Sequence, residues 1–422
     1  MRKLELEKQN IGTRMRRRLE SRKKKKKLFI IFFSLLVILL LIYLIFYILQ
    51  PVEKIAKEPT VISEEETTGE IKEEVVFTGR KNFLIIGSDH GLEQISPNSV
   101  VLVSYNSSSE EALMLSIPLR TLLQSDEEAM TVEKLLKEFQ VEDLKLAIKN
   151  TLVTEIDNYI LVNIFDLVEK IGGISVYIPE SISFPDVDSN VTVTLEKGER
   201  NLTGDLTISY LHYTSGESES ILQVSDQQDV HLSILDKLMA DKDFSEIANE
   251  MQLISEYISS DFSDVELISL GSSIVKLEGS KIFKNKTLPV LATKIDGENY
   301  YVPQIEETAK ILSEFTTVAD IKEREKSNII VLNGCGSPGI AHNLSNKLQR
   351  DFQIVEIGNA ASFQYTMSEI IVTSFNINVI EDAIFIRNTM GVGEIITDGG
   401  LTEATKQKTD IVIIIGGDYI PL

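Results

Sequence analysis

The chain of 422 residues contains one cysteine, Cys335, and no tryptophan. A single cysteine excludes an intramolecular disulfide, so the folded parts depend on core packing alone. It also excludes cysteine-based zinc sites, and the four histidines are scattered without metal-ligand spacing. The missing tryptophan removes one common platform for stacking against sugars, although 12 Tyr and 17 Phe remain.

Residues 28–49 form a long apolar run without a charged side chain. A helix rises about 1.5 Å per residue, so this run is long enough to cross the roughly 30 Å hydrocarbon core of a bilayer. Lys23–Lys27 precede the run, and a basic flank stays on the cytoplasmic side. The pattern predicts a single-pass transmembrane helix, with a cytoplasmic tail at 1–27 and all later domains outside. A cleaved signal peptide is the alternative, although its apolar stretch is usually about 7–15 residues long.

The charge is distributed unevenly along the chain. The formal net charge is −22 although residues 1–27 are strongly basic, so the predicted exterior is strongly acidic. Nucleic acid binding requires a basic face, and we therefore expect no nucleic acid partner. Solubility accounts for most of the acidic residues. The basic tail fixes the topology and could also contact anionic lipid at the inner leaflet.

Composition divides the predicted exterior into a stalk and two folded parts. Residues 50–79 are poor in large apolar groups, which predicts a linker without a core of its own. Strand and helix patterns then mix, so we predict a mixed α/β sheet covered by helices for residues 80–318. A smaller α/β module is predicted for residues 326–420.

Hydrophobic periodicity gives the individual elements of both parts. Residues with helical spacing lie at 131–150, 166–171, 227–240, 243–277, 338–350 and 377–386. Predicted strands lie at 83–86, 100–105, 112–117, 159–164, 174–178, 328–333, 353–357, 369–373 and 410–415.

Residues 334–339 read GCGSPG and fit the glycine pattern of a dinucleotide-binding turn, with Glu356 at the end of the next predicted strand. Three points favour a simple tight turn instead. Nicotinamide cofactors are scarce outside the membrane, and Pro338 supplies no N–H for an anion. The module is also too short for two βαβαβ halves. We therefore expect no nucleotide cofactor, and we interpret Cys335 as a buried filler without a basic partner.

Several segments, taken in order, resemble the LytR–CpsA–Psr proteins of bacterial cell envelopes. In the larger part they are NFLIIGSD (82–89), SVVLVSYN (99–106), ALMLSIPLRT (112–121), EIDNYILVNIFDLVEKIGGISVYIP (155–179), LEKGERNLTGDLTISYLHY (195–213) and DQQDVHLSILDKL (226–238). The stretch YYVPQIEETAKIL (300–312) resembles what often follows that domain. NIIVLNGCGSPGIAHNLSNKL (328–348) and IVIIIGGDY (411–419) resemble the family's LytR C-terminal domain.

This resemblance implies transfer of a glycopolymer from a polyprenyl-pyrophosphate carrier onto peptidoglycan, outside a bacterial cytoplasmic membrane. Such chemistry needs arginines that neutralise pyrophosphate and carboxylates that hold a divalent ion such as Mg²⁺. Asp89 stands at the family's first Asp and is the candidate metal ligand. The family's Arg-Ser-Asp stretch falls on Ser96-Pro97-Asn98, so Asn98 replaces a carboxylate. The Pro-Arg-Asp stretch falls on Pro118-Leu119-Arg120.

Two further parts of the family's site are changed in this chain. The arginines after its Tyr segment fall on His212 and Thr214, and the Asp and two arginines before its Gln-Gln pair fall on Ser220, Gln223 and Asp226. An Asp in place of an Arg inverts the local sign, and two charges about 4 Å apart interact by about 4 kcal/mol at an effective dielectric of 20. The resemblance thus implies a framework whose charged site is largely missing.

The remaining polar candidates also have simpler interpretations. Arg120 could compensate through a register shift, but a solvated loop charge is the simpler interpretation. A protonated His212 could donate to phosphate, or it could be a hydrogen-bonded strand residue. Asp89 could merely cap a turn.

Three functions remain open at this stage. The first is a pseudoenzyme that binds or scaffolds envelope components and needs no metal. The second is an active, divergent phosphotransferase that recruits Arg120, Lys197 or Arg200 and uses Mg²⁺. The third is an interaction protein whose C-terminal module binds a partner. Under all three, the protein lies in the cell envelope, and the expected partners are the membrane and a polyprenyl-linked glycopolymer or peptidoglycan. An apolar groove in the larger domain, if present, would be the binding site by default.

Overall fold

The computed structural model describes residues 79–126, 128–185, 192–215, 226–239, 242, 244–276, 282–319, 325–397 and 399–420. The predicted tail, transmembrane helix and nearly all of the stalk lie outside these residues. All described residues belong to one compact unit, Ile71–Leu422. In that described part, no helix combines the length and apolarity needed to cross a membrane.

The described residues form nineteen strands and eleven helices. The strands are β1 (Arg80–Ser88), β2 (Pro97–Asn106), β3 (Glu111–Ser116), β4 (Leu122–Ser125), β5 (Glu128–Thr131), β6 (Asn158–Asn163), β7 (Ile174–Ile178), β8 (Ile182–Pro185), β9 (Thr192–Leu195), β10 (Gly198–Leu202), β11 (Ile258–Ser260), β12 (Phe283–Thr287), β13 (Val290–Ile295), β14 (Glu298–Pro303), β15 (Asn328–Asn333), β16 (Gln353–Asn359), β17 (Glu369–Val372), β18 (Glu394–Ile396) and β19 (Ile411–Ile415). The helices are α1 (Val132–Glu138), α2 (Val141–Leu152), α3 (Ile164–Lys170), α4 (Gly204–Ser215), α5 (Asp226–Met239), α6 (Phe244–Ile254), α7 (Asp264–Lys276), α8 (Ile305–Ser313), α9 (Ile340–Leu348), α10 (Ile377–Met390) and α11 (Glu403–Lys406).

The larger domain is built on a six-stranded mixed sheet in the order β11-β6-β1-β2-β3-β12. All ten residues of β2 are buried, because helices cover both faces of the sheet. Leu84 and Leu102 pack with α1 and α2 on one face, whereas Phe83 and Val103 pack with α7 on the other. This alternation along one strand is the period of two expected for a sheet with two apolar faces, and it confirms the predicted mixed sheet covered by helices.

The second sheet has seven strands in the order β14-β13-β18-β17-β19-β15-β16. Strands β15 to β19 come from the C-terminal module, but β13 and β14 precede it in sequence. Asp296 and Gly297 join them in a two-residue turn with φ of +50° and +82°, the left-handed geometry that Asp-Gly favours in hairpins. This sheet therefore contains strands from both sides of the predicted domain boundary at residues 318–326.

Both edges of this sheet are irregular. At one edge, Thr121 forms an isolated bridge to Tyr301 of β14. At the other, the register between β15 and β16 shifts after Ile329, and the side chain of Glu356 pairs with Lys408 at 2.7 Å. Strand β16 otherwise lies open on its outer side in the described residues.

Two predicted helices are interrupted. The segment 131–150 divides into α1 and α2 because Gln140 starts a new helix with a capping box to Asp143. The segment 243–277 divides into α6 and α7 because residues 258–260 leave the helix and pair with β6 as strand β11. The Asp261 carboxylate then accepts the Tyr159 N–H at 2.7 Å, which holds this short strand at the sheet edge.

Candidate functional site

Asp89 follows β1 directly, at the carboxyl end of an inner strand of the larger sheet. Its backbone N–H donates to the Ser96 carbonyl at 2.9 Å, and its own carbonyl accepts the Phe165 N–H at 3.3 Å. A register shift at Gly87/Ser88 bends the strand at this point. The loop before β2 and the start of α3 therefore fix the position of Asp89.

Three side chains surround the Asp89 carboxylate. Ser96 Oγ donates to Oδ2 at 2.8 Å, and Asn98 Nδ2 donates to Oδ1 at 3.0 Å. His212 Nε2 lies 2.9 Å from Oδ2. Asp89 is largely buried, whereas about a third of the His212 side chain is exposed, so the pair forms the outer rim of the site.

The pKa of Asp89 results from opposing effects. Burial raises it, but the hydrogen bond and positive charge of His212, together with hydrogen bonds from Asn98 and Ser96, outweigh burial and hold the pKa below its usual value. Asp89 is therefore an ionised acceptor at neutral pH. Its surroundings already supply it with hydrogen-bond donors.

A buried network of hydrogen-bonded polar side chains leads inward from this carboxylate. Ser99 Oγ lies 2.9 Å from Asn98 Oδ1 and 2.9 Å from Nε2 of His231 on α5. Gln227 Nε2 also donates to the Asn98 carbonyl at 3.4 Å. Asn98 and Ser99 have no exposed surface, and His231 is 6% exposed. The polar network is thus closed to solvent except at its Asp89–His212 end.

The direction of the hydrogen bonds in this polar network follows from Asp89. A carboxylate only accepts, so Asn98 turns its amide nitrogen outward and its oxygen toward Ser99. Ser99 donates its proton to that oxygen, and His231 must then donate from Nε2 to Ser99. Burial lowers the pKa of His231 to about 4, so the ring is neutral at pH 7 with its proton on Nε2. Ser99 is consequently not poised as a nucleophile, because the facing nitrogen is not a base.

Gly87 lies beside the buried polar network, and its replacement by alanine tests the packing there. An added Cβ would overlap Asn98 Oδ1 and Ser99 Oγ and lie 3.2 Å from Ile164 Cγ1. We expect Gly87→Ala to lower the free energy of unfolding by about 1–3 kcal/mol, measured by urea denaturation. Gly358→Ala is the matched control, since its Cβ would lie 3.4 Å from the nearest atom, in edge strand β16. Equal stability of the two variants would contradict this account of the packing.

The structure brings together some of the predicted site residues. Asp89, Asn98 and His212 form one cluster, but His212 lies in the last turn of helix α4, so its prediction as a strand residue was wrong. The apolar residues before it also fit one buried helix face, since Ile208 and Leu211 are both buried and three residues apart.

The other predicted residues lie elsewhere or outside the description. Arg120 Nη1 donates to the Asn299 carbonyl at 3.4 Å and lies 3.9 Å from Glu298, so the β13–β14 hairpin holds it. Asp226 is the first residue of α5, and its side chain is not described. Gln223 lies outside the described residues.

Sequence reasoning did not single out Ser99, Gln227 or His231. A signal was present on α5, where Gln227 and His231 continue the apolar stripe of Ile234 and Leu238 at helical spacing. Polar residues on a buried stripe must find buried partners. The identity of the partners depends on the packing of α5 against β2, which spacing along one segment does not reveal.

An apolar cavity of about 130 Å³ lies behind His231, between the larger sheet and helices α5, α6 and α7. His231 is its polar wall. A cavity of about 150 Å³ accommodates a benzene-sized group, so a longer lipid requires the helices to move apart. Met239 and Met251, whose side chains adapt readily, line this helical side. The residues facing the cavity from the sheet are Phe83, Ile85, Val103, Met114, Ile160, Val162, Ile258 and Phe283.

The GCGSPG segment forms a turn between β15 and α9. The Asn333 side-chain oxygen accepts the N–H groups of Cys335 at 3.2 Å and Gly336 at 2.9 Å. These amides, which a phosphate would use, are already occupied. Gly336 and Gly339 have φ of +77° and +74°, which explains glycine at both positions.

Comparison with protein families assigns the chain. The LytR_cpsA_psr family matches residues 45–317, and the family described as LytR cell envelope-related transcriptional attenuator matches residues 326–419. The chain belongs to the LytR–CpsA–Psr family and carries a LytR C-terminal domain, as its segments predicted. No curated protein matches the sequence.

A comparison with solved structures finds proteins that are distant in sequence. TagV of B. subtilis is 19% identical and covers 57% of this chain and 98% of its own, with a TM-score of 0.47. TagU of B. subtilis is 17% identical and covers 58% and 100%, with a TM-score of 0.43. Protein gbs0355 from Streptococcus agalactiae is 18% identical and covers 56% and 86%, with a TM-score of 0.47.

Proposed function

We propose that this protein is a pseudoenzyme of the bacterial cell envelope that binds or scaffolds cell-wall components. It is anchored through residues 28–49 with its folded domains outside. It binds the apolar part of a polyprenyl-linked glycopolymer and does not transfer the polymer. The single observation that supports this proposal is the set of partners around Asp89.

The charge around Asp89 suits a carboxylate and does not suit a pyrophosphate. Within 4.0 Å, the described part of the chain gives Asp89 one basic partner, His212, and no arginine or lysine. Arginine binds phosphate through paired, charge-assisted hydrogen bonds that a single imidazole does not replace. A diphosphate placed here would meet the Asp89 carboxylate and a single histidine.

The donor set around Asp89 also fits a divalent ion poorly. Hard cations take several oxygen ligands from carboxylates, carbonyls and water. Asn98 turns its amide nitrogen toward Asp89 at 3.0 Å. His212 offers a ring nitrogen, whereas hard cations take oxygen ligands. Among the described residues, no group of three His, Cys, Asp or Glu side chains could hold a metal. The residues around Asp89 therefore do not fit Mg²⁺.

The apolar cavity supports the binding half of the proposal. Its lining is almost entirely hydrocarbon and thioether, with His231 as the polar wall. Concave apolar sites with few polar groups are the usual form of a ligand pocket. Lipid binding is expected to persist where the chemistry at Asp89 is lost.

A transfer assay on the purified full-length chain tests the proposal. With polyprenyl pyrophosphate and Mg²⁺ we expect no release of phosphate, while a fluorescent polyprenyl phosphate still binds. Val103→Phe narrows the cavity and should weaken that binding by about tenfold. Leu253→Phe is the matched control, because Leu253 is 56% exposed on the adjacent helix α6.

A variant with a rebuilt site shows whether a negative result comes from the missing charges or from an unsuitable assay. The combined variant Ser96→Arg, Asn98→Asp and His212→Arg restores the charges that the family resemblance implies, and we expect its affinity for pyrophosphate to rise by about tenfold or more. Phosphate release by the unaltered chain would refute the proposal. If Arg120→Ala then abolished that release, the chain would be an active, divergent phosphotransferase.

A further inference from the structure

A second cleft lies on the C-terminal module, about 440 Å³ in volume and separate from Asp89. Strands β15 and β19 are parallel neighbours, so the loops that follow them meet at one edge of the sheet. Ligands of α/β sheets bind in the crevice outside the carboxyl ends of such strands. The lining residues are Cys335, Phe363, Gln364, Tyr365, Thr366, Gly417 and Asp418.

The walls of the cleft are held by backbone hydrogen bonds between three segments. The Tyr365 N–H donates to the Gly334 carbonyl at 3.1 Å, and the Gly417 N–H donates to the Tyr365 carbonyl at 2.9 Å. The Asp418 N–H donates to the Thr366 carbonyl at 3.1 Å. Residues 363–368 are thereby joined to both strand ends, so the cleft is preformed.

The aromatic wall is supported from one side and open on the other. Phe363 lies over the turn at Gly336, where an added Cβ would come within 3.5 Å of its Cβ and Cγ. Its side chain is nevertheless 53% exposed. A large apolar ring held against a turn and facing solvent offers a flat stacking surface.

The polar groups beside this ring are not used by the protein. Among the described residues, the side-chain amide of Gln364 and the hydroxyl of Thr366 have no hydrogen-bond partner. Asp418 accepts from Ser368 Oγ at 2.7 Å through Oδ1, which leaves its second oxygen available. The cleft thus offers a carboxylate oxygen, an amide and a hydroxyl, which together both donate and accept.

Charge narrows the class of ligand. In the part of the chain that the structure describes, no Lys or Arg lines the cleft and Asp418 is its charged residue. An anionic ligand such as a nucleotide or a phosphorylated polymer would therefore be repelled. An uncharged molecule with an apolar face and adjacent hydroxyl groups satisfies both the ring and the polar groups.

The geometry points to a binding site for a neutral saccharide in this cleft. A pyranose ring stacks its C–H face on Phe363, and its hydroxyl groups hydrogen-bond to Gln364, Thr366 and Asp418. This site is independent of the proposed function, since it shares no residue with the Asp89 cluster or the apolar cavity.

Calorimetric titration of the full-length chain tests this site with three neutral tetrasaccharides, namely chitotetraose, cellotetraose and maltotetraose. We expect at least one to bind, and Phe363→Ala to raise its Kd by about tenfold. Gln364→Ala should also weaken binding, and it removes a side chain that makes no hydrogen bond in the described residues. Met367→Ala is the matched control, because Met367 is 52% exposed on the same segment but does not line the cleft.

The outcomes separate saccharide binding from its alternatives. Tetragalacturonate, which is anionic, should bind more weakly than the neutral sugars. Binding of none of the three, binding unchanged in both Phe363→Ala and Gln364→Ala, or competition by tetra-alanine at the same residues would each overturn the assignment. Any of these results leaves the transfer assay at Asp89 unaffected.

Discussion

Replacing His231 with glutamine is expected to reduce, by about 3 kcal/mol, the free energy of unfolding that is lost between pH 6.5 and pH 4. Burial lowers the pKa of His231 from 6.5 in the unfolded chain to about 4 in the fold. The folded pKa is depressed, so the neutral ring's contribution is complete above pH 6.5 and is lost as the pH falls toward 4. The difference of about 2.5 units corresponds to about 3 kcal/mol.

Urea denaturation of both proteins at closely spaced pH values measures this difference. Glutamine retains an N–H that reaches Ser99 in place of His231 Nε2, so the two proteins should have similar stability at pH 7. Below pH 6.5 the wild-type curve should fall more steeply. Parallel curves, or an NMR signal of His231 that titrates near pH 6.5 in the folded chain, would contradict the buried neutral ring.

Ending the chain at residue 325 is expected to abolish cooperative unfolding and cause aggregation. Leu122, Ala129, Ile295 and Val302 precede this point, yet all four belong to the same hydrophobic cluster as the C-terminal module. Removing the module would expose them and leave strand β13 without its neighbour β18. Exposed apolar edges of this kind associate. Thermal unfolding and size-exclusion chromatography measure the result.

A surface change within the module provides the control. Lys408→Ala removes the exposed ion pair with Glu356, and such pairs contribute about 0–1 kcal/mol, so the variant should unfold like the wild type. A monomeric chain ending at residue 325 with an unchanged Tm would show that the two parts fold separately. If the prediction holds, deletion cannot test whether the module binds a partner, and single-residue variants in the cleft are required.

Much of the fold could be predicted from the sequence, because the spacing of apolar residues within a segment indicates which of its side chains are buried. The predicted strands at 83–86, 100–105 and 112–117 match the inner strands β1 to β3. The hairpin of β13 and β14 was missed, although Asp296-Gly297 is a strong turn signal. Its placement in the second sheet depends on contacts with β18, about 100 residues further along the chain, and no local pattern specifies that pairing.

The candidate site was only partly accessible for the same reason. Asp89, Asn98 and His212 were found because the family segments preserve their order. Ser99 and His231 lie 132 residues apart in sequence, and each is unremarkable in its own segment. The structure alone reveals that they share a hydrogen bond. It also fixes the direction of the proton donors, which sequence cannot supply.

The two irregular margins of the seven-stranded sheet have a consequence for self-association. Thr121 occupies one margin through its bridge to Tyr301, and the displaced register and charge of Glu356 disturb the other. Flat, regular margins recruit strands from neighbouring molecules, whereas bulges and charges deter them. Neighbouring copies of the protein would therefore resist pairing edge to edge through this sheet, and each would keep its cleft open to solution.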